Sequence, residues 1–418
     1  MLKVSEEAGT RSPTEGRFRQ PDRSGGAAAS TLVLLALVAL ALNLRSPLIA
    51  VPTVIGQIRE DLGIDVAVAG LLTSIPVLCF GVLSPLASLL IGRTGIRAAI
   101  FASLTGAGVG LVLRPYTGLD GMLGGTLLIG ASLAIGNIVS LMVIARDFPK
   151  RMAMVTGIYT AALNVGTMLT GALTAPLAAV TGWQVALASW VWMAVLAILL
   201  WIWVGYRRRK QPKPDSLSVS GVAQPGLGLA LWRRPIVWLL SLALTIHLFV
   251  YYAITAWLPA YLVEVDGMSP TRAGFVASAF QVLALVGSFA VPLLARYVPL
   301  GPQLIGMGLL WMATPLGMLL IPHQWPLWSF TGGMAQGGAF VVVFMLILQN
   351  AADLNDNRRL SSVVQGVGYT LASLGPMVVG VLHEAFGRWN EAYLLLAALS
   401  AVLAASGFAV IRVRKPES

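Results

Sequence analysis

Charge is what this sequence has least of. Only 11% of its 418 residues are Asp, Glu, Lys or Arg, against roughly a quarter in a soluble globular protein. So few charges cannot clothe a water-exposed surface, which excludes a soluble domain of any size. Cysteine occurs once, at Cys79 inside an apolar run. One cysteine makes no intrachain disulfide and argues against a cysteine-built metal site; no metal and no cofactor are expected. There is no Gly-x-x-x-x-Gly-Lys-Ser/Thr phosphate loop, so the chain alone is no ATP-driven pump. The spans show no His/acid cluster, which argues against an enzyme. None of the 17 acidic residues falls near the middle of an apolar run, so a carboxylate proton relay is not expected either.

What the sequence does have is hydrocarbon. It is 57% hydrophobic, with a mean hydropathy of +0.81. Apolar runs of about 20 residues, each long enough to cross a bilayer core, recur from residue 31 onward. Twelve spans are read, at 31–56, 67–91, 97–114, 120–146, 153–180, 184–205, 235–262, 271–295, 301–321, 326–349, 360–383 and 391–411. The expected fold is all-α: a polytopic membrane protein with 12 transmembrane helices in two six-helix pseudo-repeats. The segments are a tail (1–30), a first bundle (31–205), a basic Pro/Ser/Gly-bearing linker (206–234), a second bundle (235–411) and a tail (412–418). The first run leads into Arg45 and two prolines with no persuasive cleavage site, so it is expected to stay as a span rather than act as a signal peptide.

The net charge of +11 reads as orientation, not as a nucleic-acid footprint. With a cytoplasmic N-terminus, 23 of the 28 Lys and Arg fall in cytoplasmic segments. Four (Arg59, Arg114, Arg272, Arg388) fall in segments on the other side, and Arg45 lies inside a span. That asymmetry is the positive-inside pattern. It predicts a multi-pass protein of the inner (plasma) membrane with both termini cytoplasmic. The halves also echo each other: Pro52 and Pro85 precede Pro259 and Pro292 by 207 residues, and Gly157, Gly166 and Gly171 precede Gly366, Gly375 and Gly380 by 209. Six spans, a basic linker and six more is the plan of the major facilitator superfamily, whose halves rock about a site near the bilayer midplane.

Arg45 is the one charge deep in a span. Such a placement costs about 2.5–3.5 kcal/mol on insertion scales, and no carboxylate is expected at its depth. An unpaired guanidinium facing a cavity suits an anion, which it grips with two parallel hydrogen bonds. The alternative is a structural lock on helix carbonyls or Asn137. Pro47 and Pro52 remove backbone hydrogen bonds and loosen the same helix, which either turns carbonyls toward a solute or makes a simple kink. Asn43 lies about 200° round the helix from Arg45 and is expected to bond another helix unless unwinding brings it round.

Several short stretches are similar to one branch of that superfamily. Ala41-Leu42-Asn43-Leu44-Arg45, Leu71-Leu72-Thr73-Ser74-Ile75-Pro76-Val77, Arg146-Asp147-Phe148-Pro149 and Gly157-Ile158-Tyr159-Thr160 resemble the cyanate and nitroimidazole transporter (CynX/NimT) branch. The resemblance runs over essentially the whole chain and is densest in its first half. It implies a carrier of a small solute. The wider superfamily has Gly-x-x-x-Asp-Arg-x-Gly-x-Arg/Lys between its second and third helices. Here Arg93, Gly95 and Arg97 match, while Ser88 and Gly92 replace the first Gly and the Asp. The resemblance implies a gating role for Arg93, Gly95 and Arg97. The missing Asp puts the usual latch in doubt, and both arginines also suit a topology role.

The 207-residue offset sets Tyr252 opposite Arg45. Tyr251 and Tyr252 offer rings and hydroxyls for a flat polar solute. His247, one turn earlier, is the one mid-span group that titrates near neutrality in water. Asn137 and Gln281 are polar at membrane depth and either line a cavity or join helices. Trp257, near Pro259, is a candidate gate. The expected function is secondary active or facilitative transport of a small anionic or polar organic solute by alternating access, with Arg45 as anchor. The expected partners are that solute and the bilayer, with a proton as candidate co-solute; no nucleic acid is expected, and the expected state is a monomer. A multidrug exporter of the same fold and a non-transporting membrane sensor are the alternatives.

Overall fold

The computed structural model describes residues 23–64, 66–209 and 229–412. Most of both tails and of the 206–234 linker lies outside them. The first half holds α1 (Arg23–Thr53), α2 (Ile55–Leu62), α3 (Val66–Val82), α4 (Ser84–Leu113), α5 (Gly118–Asp147), α6 (Met152–Thr181), α7 (Trp183–Ser189) and α8 (Val191–Arg209). After the short α9 (Leu229–Trp232), the second half holds α10 (Pro235–Asp266), α11 (Pro270–Leu294) and α12 (Leu300–Leu320). It continues with α13 (Trp325–Asn350), α14 (Leu354–Ala372), α15 (Gly375–Phe386) and α16 (Asn390–Arg412).

Among the described residues, ten helical stretches are long and apolar enough to cross a bilayer. Two of the twelve predicted spans are missing from that set: the eighth, whose helix α11 contributes only the shorter apolar stretch Phe280–Leu294, and the second, which is broken. The second span is divided at Leu83, where Pro85 near the start of α4 cannot donate an amide. The third is fused to its second part in α4, because the turn between them is one residue wide. That residue is Gly95, at φ 81° and ψ 169°, a conformation that a side chain makes costly. The eleventh span divides into α14 and α15 around Ser373 and Leu374, with Pro376 in the first turn of the new helix.

We use linker end for the end carrying the start of α1, the ends of α5 and α8 and the starts of α10 and α14. The opposite end holds Gly63, Gly182, Gly267 and Gly387, each with positive φ. The two halves pack along α6 against α11 and α13, and along α14 against α3, α4 and α5. Small residues permit this closeness: a Cβ at Gly157 of α6 would lie 2.6 Å from Pro292 Cγ of α11. Near the middle of α6 and α13, Gln336 Nε2 donates to Asn164 Oδ1 at 3.1 Å across the halves. The other group of each amide, Asn164 Nδ2 and Gln336 Oε1, is buried without a partner among the described residues.

Candidate functional site

Arg45 stands at the base of a cavity of about 440 Å³ shared by both halves. Helix periodicity explains the first wall. Leu48, Ile49 and Pro52 line the cavity with Arg45, and these positions are three, four and seven residues on, which places them on one face of α1. The facing wall is the same stripe in the second half: Tyr252, Thr255 and Ala256 of α10 lie 207 residues after Arg45, Leu48 and Ile49. Thr167 of α6 and Pro376 of α15 also face the cavity, 209 residues apart. From Arg45 the lining residues run away from the linker end.

Arg45 is 8% exposed and makes no ion pair among the described residues. Rings hold it instead. Its guanidinium carbon lies 4.8 Å from the Phe340 ring centre and 5.6 Å from that of Tyr251. Tyr159 and Tyr252 are close enough to feel its charge, and the Tyr369 hydroxyl lies beside the guanidinium as a hydrogen-bond acceptor. Cation–π contact stabilises a guanidinium by about 0.5–2 kcal/mol but leaves its N–H edge with donors that an oxyanion can use. Thr255 Oγ1, in the wall of this cavity, is buried without a partner among the described residues.

The other predicted residues divide. Tyr251 and Tyr252 line the cavity, with ring centres 4.9 Å apart. Gln281 stands one layer behind: its Nε2 donates to the Tyr251 hydroxyl at 3.3 Å, so it orients the ring. Asn137 accepts from the Tyr159 hydroxyl at 3.1 Å, toward the linker end. Asn43 does not reach another helix as expected; its amide donates to Ala39 of its own helix at 2.7 Å, because a carbonyl one turn back is the nearest acceptor. His247 is buried behind Phe340, where its Nδ1 accepts the Trp311 indole N–H at 3.1 Å. Protonating Nδ1 would break that bond. His247→Leu is expected to lower stability by about 1–3 kcal/mol, the cost of an unpaired buried donor. Thermal unfolding in detergent reads this as a lower midpoint, and unchanged stability would count against the bond.

Pro52 lines the cavity, whereas Pro47 contributes its carbonyl to Arg114 Nη1 at 3.4 Å. Arg114 stands in the turn between α4 and α5, yet its side chain folds inward: it is 1% exposed, with Nε and Nη2 unpartnered among the described residues. A charge count along a sequence cannot tell a loop arginine from one folded back between helices. Trp257 donates to Pro376 O at 2.8 Å and packs on Gly380 and Trp389. It braces α10 against α15 at the cavity's edge.

At the linker end the halves close. Arg358 of α14 donates to the Ser88 carbonyl and, at 3.1 Å, to the Ser88 hydroxyl of α4. Asn357 approaches Leu141 O at 3.5 Å. Gly92 is what admits Arg358, since a Cβ there would lie 2.6 Å from Nη1. The position that carries Asp in the wider pattern is therefore the berth of an arginine from the other half. Arg93 is exposed nearby, and Arg97 faces a separate cavity.

A helical bundle that spans the membrane and shares one charged central cavity between two halves is the architecture of a solute carrier. The family model of the Major Facilitator Superfamily matches residues 31–373, and the chain belongs to that superfamily; it is a multi-pass membrane transporter, not an enzyme. It is 30% identical over 379 residues to the 2-nitroimidazole transporter of Escherichia coli, covering 90% of this chain and 94% of that one. It is 30% identical over 363 residues to the cyanate transport protein CynX of the same organism, covering 85% and 91%. Membership of the CynX/NimT branch expected from the motifs agrees with these relatives. Among solved structures, the E. coli fucose:proton symporter FucP superposes with a TM-score of 0.74 over 94% of this chain and 100% of that one, at 16% identity. That likeness is one of fold.

Proposed function

We propose that this transporter carries a small, flat, anionic organic solute by alternating access, with Arg45 as its anchor. The observation that carries the reading is a buried guanidinium with no ion pair at the base of a cavity walled by both halves. An anion there supplies the missing counter-charge, and the Tyr251 and Tyr252 rings supply flat faces for a planar body. The relatives named for 2-nitroimidazole and cyanate handle solutes of that size and flatness. With the termini and linker cytoplasmic, as the basic residues favour, the cavity faces outward and the Arg358 contact closes the cytoplasmic end. No Asp or Glu lines the cavity among the described residues, and the His247 ring is engaged, so we assign no proton relay within the site. A cationic-drug exporter is disfavoured by the same unpaired arginine.

The test is solute-dependent thermal stabilisation of the purified protein, with cyanate, nitrate, short and aromatic carboxylates, nitroimidazoles and organic cations. Binding to the folded state raises the melting midpoint by mass action. A planar anion should raise it and organic cations should not. Stabilisation by cations alone would replace this reading with the exporter.

A further inference from the structure

A second cavity, of about 350 Å³, lies at the linker end on the outer side of the first half, between α4, α5 and α8. Three guanidiniums line it, from Arg97, Arg146 and Arg208, with Phe101, Trp201 and Tyr206. One carboxylate, Asp147, serves two of them: it lies 2.7 Å from Arg146 and 2.9 Å from Arg208. Arg97 is exposed and forms no ion pair among the described residues. The cluster therefore keeps an excess of two positive charges around an open space.

Trp201 is the independent sign of a ligand. It is 5% exposed and lines this cavity, and its indole N–H is buried without a partner among the described residues. Buried donors are almost always satisfied, so a buried N–H beside a cavity with excess positive charge marks the place of an absent acceptor. A phosphate oxyanion fits, because it takes forked guanidinium bonds and has an oxygen to spare for the indole. The position indicates the source. Ile202, next to Trp201, lines the same cavity and is exposed on the outer face of α8, where hydrocarbon would lie, and Arg207 covers the Trp203 ring at 5.8 Å.

We propose that this cavity binds the phosphate group of an anionic phospholipid in the leaflet at the linker end. The three arginines neutralise the phosphate, Trp201 donates to one of its oxygens, and the acyl chains descend along Ile202. Basic pockets between transmembrane helices recognise lipid headgroups in this way. The site is separate from the central cavity and does not depend on what solute is carried.

The full-length protein in neutral detergent is titrated with phosphatidylglycerol, with phosphatidylcholine and with inorganic phosphate, and the melting midpoint is read. Phosphatidylglycerol should raise it by several degrees and phosphatidylcholine should not. Trp201→Phe keeps the ring and removes the donor; Arg97→Gln removes an exposed charge. Each should weaken the phosphatidylglycerol effect about tenfold in concentration while leaving the lipid-free midpoint near that of the wild type. Equal stabilisation by phosphatidylcholine, or full stabilisation of both variants, overturns the site. Inorganic phosphate matching the lipid overturns the lipid as its source.

Discussion

Arg45→Ala is expected to lose solute affinity by about a hundredfold or more while melting at or above the wild-type temperature when no solute is present. The two halves of this result have one cause. Hydrogen bonds to a charged group contribute about 1.5–3 kcal/mol each, and a forked guanidinium makes two. In the empty protein the same guanidinium is a liability. It is buried and has no ion pair among the described residues, at a depth costing about 2.5–3.5 kcal/mol. The rings of Phe340 and Tyr251 offset part of that. Removing it relieves the cost and forfeits the ligand. Arg45→Lys should recover only a small part of the affinity, because an ammonium keeps the charge but not the fork. Isothermal titration with the best solute of the panel, beside thermal unfolding of each variant, separates the outcomes. A purely structural Arg45 predicts the reverse pattern, with stability lost and any remaining binding unchanged in affinity.

The second large effect is conformational. Arg358→Ala removes two hydrogen bonds that tie α14 to Ser88 at the linker end. Their charge-assisted loss is worth about 3 kcal/mol or more, enough to shift the ratio of closed to open linker end by about a hundredfold. Spin labels at exposed Thr94 and Ala352, in a Cys79→Ser background, would report the change as a longer distance by double electron–electron resonance. An unchanged distance distribution would remove Arg358 from the closure. Gly92→Leu attacks the same contact from the other side. It fills the space that Arg358 occupies and should lengthen the distance in the same direction.

Much of this molecule can be read from its chain because a bilayer leaves few choices. Apolar runs must become helices, and one arginine without a carboxylate stands out against hydrocarbon. The cavity walls were also legible. The three-, four- and seven-residue spacing from Arg45 gives Leu48, Ile49 and Pro52, and the internal offset carries that stripe to Tyr252, Thr255 and Ala256. The same offset leads one turn beyond Tyr252 to Thr255. Other features have no linear signature. Arg114 and Arg358 look like ordinary charges at helix ends, and only folding shows one buried beside Pro47 and the other seated at Gly92. Asn43 and Asn137 are equally polar at similar depth. Their different roles depend on which acceptor or hydroxyl is nearest, and that is set by helices remote in sequence.

The amide pair at the centre of the molecule bears on how quickly such a protein can cycle. Asn164 and Gln336 join the halves by one hydrogen bond, yet each keeps a second group unused. A fully satisfied pair would have to lose both bonds before the halves slid, and the barrier would include their whole strength in a medium without water. A half-engaged pair can exchange one bond for the other as the helices shift, so the halves stay in touch throughout the stroke. In the proposed alternating-access cycle such a contact would serve as a bearing between the halves.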